Sequence, residues 1–264
     1  MKHLFWIGLL LGAALVSATA RCAAALDPAA YSYREQPGAH LPMQLSFSDS
    51  ANHSVRLDAL APGRPLILVL AYYRCPGLCS IVRESLFRAL GAAQLKAGRD
   101  YAVAVLSIDP TESSDDAQAA KSADLAAFGS GQADEDAWHY LTGSAPDISA
   151  IANAVGFRDQ FDPKTKQFIH PAGVVFLSPG GLVSSYLLGV GYTPVAVRSA
   201  IDGARTSRIV AAAMPLLLIC FHFDVGTGRY SLEILKVLRL AAILTVLTLA
   251  GLLLVLHRRE RVGS

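Results

Sequence analysis

Apolar positions in the middle of this chain come in short runs separated by turn residues, and at the two ends they fuse into longer uncharged stretches. The run from Leu66 to Tyr73 is apolar at successive positions and is bounded by Pro65 and by Pro76-Gly77. That pattern predicts a strand covered on both faces. Leu78, Ile81, Val82, Leu86, Phe87 and Leu90 then recur at helical spacing, with Gly91 to Gly98 closing the helix. Tyr101 to Ile108 repeats the buried-strand pattern. Asp109 to Asp116 reads as a loop and helix start, its acids near the positive end of a helix dipole, and a helix follows over about Asp116 to Phe128. Trp138 to Leu141 predicts a short strand, and Asp147 to Val155 a short helix after Pro146.

Two alternating pieces, Met43 to Phe47 and Ser54 to Leu57, flank a turn-rich stretch from Ser48 to His53 and predict an N-terminal hairpin. Phe157 to Phe161 and Gln167 to Leu177 flank a turn at Asp162 to Lys166, and Leu182 to Leu188 follows Pro179-Gly-Gly181. Pro194 suits a first helical position, and a last helix runs from it to Ala204. A hairpin, a β-α-β unit, more helix, an antiparallel pair and a final helix make an α/β fold of the thioredoxin-like type, a central mixed sheet flanked by helices.

The ends carry a different message. Met1-Lys2-His3, an apolar stretch from Leu4 to Val16 and Ser17-Ala-Thr-Ala20 have the anatomy of a secretory signal spanning residues 1–25, with cleavage after Ala20 or Ala25. Cys22 falls in or beside that leader, and Arg21 before it argues against a lipoprotein site. Residues 234–256 include an unbroken uncharged run from Leu240 to Leu256, enough to cross a bilayer as a helix if Lys236 and Arg239 snorkel to the interface. The basic tail 257–264 should stay cytoplasmic. The expected order is therefore signal, thioredoxin-like domain (26–208), juxtamembrane segment (209–233), transmembrane helix and tail. The domain would lie on the periplasmic side of the inner membrane. A net charge of +2 over 264 residues gives no reason to expect a nucleic-acid partner.

The candidate chemistry sits at the first strand-to-helix turn. Cys75 and Cys79 flank Pro76-Gly77-Leu78, one residue more than a thioredoxin-type redox pair has between its thiols. A helix N-terminus lowers the pKa of a thiol placed there, and thiolates serve as nucleophiles or as soft-metal ligands. A structural disulfide is the plainer alternative, but so short a loop would stabilise little through chain entropy. His170, in Phe168-Ile-His-Pro171, stands before the Ala172 to Leu177 strand, which a thioredoxin-like topology turns toward the cysteine loop. Alone it reads as a surface or capped histidine. Two thiolates and one imidazole make a trigonal set suited to copper(I) above all, and also to copper(II). His40, His53 and His139 have no thiol near them in sequence and read as surface or capping groups.

Tyr72-Tyr-Arg-Cys-Pro-Gly-Leu-Cys79, Ser107-Ile-Asp-Pro110, Trp138-His-Tyr-Leu-Thr-Gly143 and the His170 strand together resemble the Sco/SenC family, over about Leu41 to Ala204. The resemblance implies a membrane-anchored thioredoxin-fold protein that delivers copper to the binuclear centre of cytochrome c oxidase, or acts as a thiol-disulfide reductant in its assembly. It assigns Cys75 and Cys79 to the family's copper loop and His170 to the third ligand. It also implies as partners the oxidase subunit that carries the copper centre, and other periplasmic copper carriers or thiol reductants. Gly77-Leu78 replaces an Asp or Thr common inside the loop, and Ile169 stands where many members have Asp, which puts metal affinity and partner choice in question. The anchor lies at the C-terminal end, as in a bacterial branch that ends in a Cys-aromatic-His block. Here that block is Cys220-Phe-His222, with Met214 upstream and Gly226 to Tyr230 after it. In a strand Cys220 and His222 would share a face. They form either a second, transient copper site or a β-segment packed on the domain or the membrane surface.

Overall fold

A computed structural model describes residues 31–75, 79–128, 135–163, 165–209, 223–224, 229–230, 242–246, 248 and 251, with the side chains of Cys79 and of 223–224 and 229–230 outside the description. The centre is a five-stranded sheet. Strand β3 (Leu66–Ala71) pairs in parallel with β4 (Ala102–Ser107), and β4 with β5 (Trp138–Leu141). On its other edge β3 pairs antiparallel with β8 (Gly173–Leu177), which pairs antiparallel with β9 (Val183–Leu188). Every residue of β3, β4 and β8 is buried, which explains their unbroken apolar runs.

Helix α2 (Cys79–Ala92) crosses from β3 to β4, and α3 (Ser114–Phe128) from β4 to β5. Both crossovers join neighbouring parallel strands in the same direction, so a right-handed path sets both helices on one face. Helix α5 (Pro194–Arg205) joins them there, packing on β8 and β9 and against α2. Thr193 caps α5 by accepting from the Ala196 N–H, and Pro194 opens the helix as expected. This is the mixed-sheet, thioredoxin-like α/β arrangement that the element order predicted.

The N-terminal hairpin forms with shorter arms than the alternation suggests, β1 (Ser46–Ser48) against β2 (Ser54–Arg56). Leu57–Leu60 is a one-turn helix, α1, rather than more strand, because Leu57 and Leu60 both turn into the core at helical spacing. The chain before the hairpin binds to the body through Gly156, whose φ is +64°. A Cβ at Gly156 would lie 1.8 Å from the Arg34 carbonyl oxygen, and the Gly156 carbonyl accepts from the Arg34 N–H.

Several other predicted boundaries move. Helix α3 begins two residues early, at Ser114. Helix α4 (Ala145–Ala154) starts before Pro146, because Ser144 is the N-cap and accepts from the Asp147 N–H. The expected continuous strand Gln167 to Leu177 is two strands in two sheets. β6 (Gln160–Asp162) and β7 (Gln167–Ile169) form a separate hairpin, and β8 starts afresh at Gly173. Pro171 accounts for the break: it has no N–H to give to a ladder and restricts the backbone of His170 before it. Phe157, expected at the start of a strand, makes one isolated bridge to Tyr33 instead.

After α5 the chain leaves beside the start of β9, where the Ser184 hydroxyl donates to the Arg208 carbonyl and Ile209 lies against Gly38. Beyond it, β10 (Phe223–Asp224) pairs antiparallel with β11 (Arg229–Tyr230). Residues 242–246, 248 and 251 are helical, and Ile243, Leu244 and Val246 are exposed. Among the described residues no helix is long and apolar enough to cross a membrane. The proposed signal with Cys22, Met214, Cys220, His222, most of 234–256 and the basic tail lie outside the described residues.

Beneath the helices runs a buried polar contact. Arg83 on α2 donates through Nε to Asp124 on α3 at 2.5 Å, the Tyr140 hydroxyl donates to the same carboxylate at 2.6 Å, and the two charged side chains are 7% and 6% exposed. Asp124→Ala leaves a buried guanidinium without its carboxylate, so a loss of about 3–5 kcal/mol is expected in urea unfolding followed by tryptophan fluorescence. His139 on β5 donates through Nε2 to the Leu60 carbonyl at 3.1 Å, and burial holds its pKa below the ordinary 6.5. A depressed histidine contributes stability that is present above its unfolded pKa and is lost as pH falls through the lower folded value. Melting temperature should therefore drop between about pH 7.5 and about pH 5, and His139→Gln should make that drop smaller.

Candidate metal centre

The antiparallel register of β3 with β8 brings the start of β8 to the end of the sheet where β3 finishes. β4 finishes there too, with Ser107 opposite Ala71. One end of the sheet thus collects the chain after Ala71, the loop after Ser107 and the segment His170–Ala172. The cysteine turn and His170 are neighbours for a topological reason.

Beyond β3 the chain stays anchored for two more residues. Tyr72 is 5% exposed, and its ring meets His170 edge-on with centroids 5.8 Å apart and Phe168 at 5.6 Å. Phe157 flanks the imidazole from another side at 5.9 Å, and Phe161 packs on Phe168 at 5.1 Å. His170 is half-buried, and its Nδ1 lies 3.0 Å from the Pro171 carbonyl oxygen. A carbonyl can only accept, so Nδ1 carries the proton and the lone pair of the neutral ring is on Nε2, the atom a metal would take. Asp159 is coupled to this ring: desolvation raises its carboxyl pKa and the charge of His170 opposes the shift.

Tyr73 and Arg74 are fixed by the loop after β4. The Tyr73 hydroxyl lies 2.8 Å from the carbonyl oxygens of both Val105 and Leu141 and has one proton to donate between them, and burial pushes its pKa up. The Tyr73 N–H donates to Glu112 Oε2 at 2.8 Å, and the Arg74 N–H to Glu112 Oε1 at 2.7 Å. Ser107 Oγ donates to Oε2 at 2.6 Å, and the Arg74 guanidinium reaches Thr111 Oγ1 at 2.7 Å and Asp109 Oδ2 at 3.2 Å. Cys75 follows, half-buried against the core. Cys79 is the first residue of α2. Beside this turn lies a cleft of about 670 Å³ whose walls include Tyr72, Arg74, Asp109, Phe161 and Phe168.

Cys75 and His170 are thus held at the same end of the sheet, with Tyr72 linking them. Among the described residues no group of three His, Cys, Asp or Glu side chains is gathered as a metal site, and the Cys79 side chain lies outside them. His40 and His53 are exposed, His53 with its Nδ1 3.5 Å from Asp49, and His139 binds a carbonyl. Sequence reasoning missed the aromatic cradle and Glu112. Tyr72 and Phe157 read as core strand positions, and Glu112 sits among acids that read as a helix start.

Comparison with known proteins adds an independent line. The sequence profile described as SCO1/SenC matches residues 34–201. No curated protein sequence matches the chain. Among solved structures, a candidate electron transfer protein from Aquifex aeolicus VF5 is 26% identical, with TM-score 0.57 over 65% of this chain and 95% of that one. A candidate electron transport protein from the same organism is 25% identical, with TM-score 0.53 over 65% and 99%. A SCO1/SenC family lipoprotein from Bacillus anthracis str. Ames, 20% identical with TM-score 0.51 over 66% and 99%, shares the fold. With its thiol turn and histidine segment at one end of a thioredoxin-like sheet, and with the profile covering more than half its length, the chain belongs to the SCO1/SenC family.

Proposed function

We propose that this protein is a membrane-tethered copper metallochaperone. It would hold copper(I) on Cys75, Cys79 and His170 at the periplasmic face and pass it by ligand exchange to cysteines of the cytochrome c oxidase subunit that carries the copper centre. The observation that carries this reading is the setting of His170. Its ring is cradled by Tyr72 and Phe157, and its proton is committed to the Pro171 carbonyl through Nδ1, at the end of the sheet where the cysteine turn begins. Two thiolates and a neutral imidazole suit a soft cation. Binding needs both thiols deprotonated, so affinity should fall with pH. Other periplasmic copper carriers would load the site. Tethering by the 234–256 segment would raise the local concentration near a membrane-bound acceptor, making tight protein–protein binding unnecessary. The exposed apolar side chains of helical residues 242–246 are consistent with such an anchor.

The place of Cys79 at the start of α2 also supports a second reading, reduction of the acceptor's copper-ligand disulfide. In that step Cys75 and Cys79 would give up two electrons and two protons and close a disulfide while the acceptor's opens, and a periplasmic thiol reductant would restore them. His170 is needed only for metal.

The test is anaerobic titration of the reduced full-length protein in detergent with copper(I) against a competing chelator. One tight equivalent is expected, weakened about a hundredfold or more by each of Cys75→Ser, Cys79→Ser and His170→Ala. Unchanged affinity in all three variants would overturn the metallochaperone reading. A His170→Ala protein that loses copper but still reduces a model disulfide at the wild-type rate would show that the two activities are separable.

A further inference from the structure

Glu112 is a carboxylate with no exposed side-chain surface, in a loop five residues past the end of β4. Burying that charge is costly unless donors surround it. Three do so at short range: the backbone N–H groups of Tyr73 and Arg74, one on each oxygen, and the Ser107 hydroxyl. The Arg74 guanidinium, itself half exposed, comes within 3.5 Å and balances the charge. Both amides belong to the residues immediately before Cys75, past the last ladder position of β3 at Ala71.

We infer that Glu112 is the positioning residue of the thiol turn, fixing the direction in which the backbone delivers Cys75 toward the histidine. The geometry calls for a carboxylate. Two backbone donors approach separate oxygens, so each terminal atom must accept, and carboxylates alone among side chains of this length offer two acceptors. The loop carrying Glu112 is itself braced. Asp109 Oδ1 accepts from the Thr111 N–H and hydroxyl at 2.8 and 2.7 Å, and the Asp109 N–H donates to Ser107 Oγ at 3.1 Å. The base of the turn is therefore rigid on both sides of the carboxylate. With it in place, copper(I) would meet a first ligand whose preceding backbone is already ordered. The role in metal binding rests on the copper reading above; the role in holding Cys75 does not.

The experiment uses the full-length protein in detergent. In the wild type, the Tyr73 and Arg74 amide protons should exchange with solvent at least about tenfold more slowly than amides of exposed loops, as buried bonded amides do. In Glu112→Gln, one of the two amides must face an –NH2 group. That protein should show faster exchange at Tyr73 or Arg74, alkylation of Cys75 changed several-fold, and copper(I) affinity about tenfold lower, as expected when a binding segment must be ordered on binding. The Cys75/Cys79 reduction potential should also move, a readout that general loss of stability at a distant site would not shift. Unprotected Tyr73 and Arg74 amides in the wild type would overturn the inference whether or not the variant folds. So would a folded Glu112→Gln protein with wild-type alkylation, potential and copper affinity. If Cys75→Ser retains copper while Glu112→Gln still alters exchange and alkylation, the metal assignment fails and the positioning role stands.

Discussion

A strand bonded on both edges and covered on both faces has no room for chemistry along its length, and β3 is such a strand. Polar function can appear only where the ladder runs out, and around that point the fold gathers its other unusual residues. β4 ends beside β3 and supplies Ser107 and, just beyond, Glu112. β8 begins beside it and supplies His170. The candidate site lies where β3 and β4 end and β8 begins.

Two buried carboxylates hold the chain before Cys75 and after Cys79. Glu112 grips the backbone just ahead of Cys75. Asp124 grips Arg83, one helical turn past Cys79, and so binds α2 to α3. Each is surrounded by donors, as a buried charge must be.

Much of this was legible in the amino-acid order because the physics was local. Continuous apolar runs marked β3, β4 and β8, turn composition marked the hairpin, and Pro194 marked the start of α5. Cys75 and Cys79 stood out because a strand-to-helix turn is a known setting for reactive thiols. The misreadings share a cause. The pattern of Gln167 to Leu177 looks like one strand because periodicity does not register that Pro171 removes a ladder bond. Helix α1 was hidden because Leu57 also fits the end of the alternating piece Ser54 to Leu57. Glu112 was invisible because its partners are backbone amides 38 and 39 residues earlier in the chain, brought close by parallel pairing of β3 with β4. A lone acid carries no signal for such a contact. The cradle of Tyr72, Phe157 and His170 is likewise a product of tertiary closure.

The domain also has a front and a back. Arg208 is held at the first residues of β9, whereas the last residue of that strand, Leu188, lies opposite Gly173 near the thiol turn. The two ends of β9 are about 15 Å apart at the rise of an extended strand. A polypeptide leaving at Arg208 thus departs from the end of the sheet opposite the one that holds Cys75 and His170.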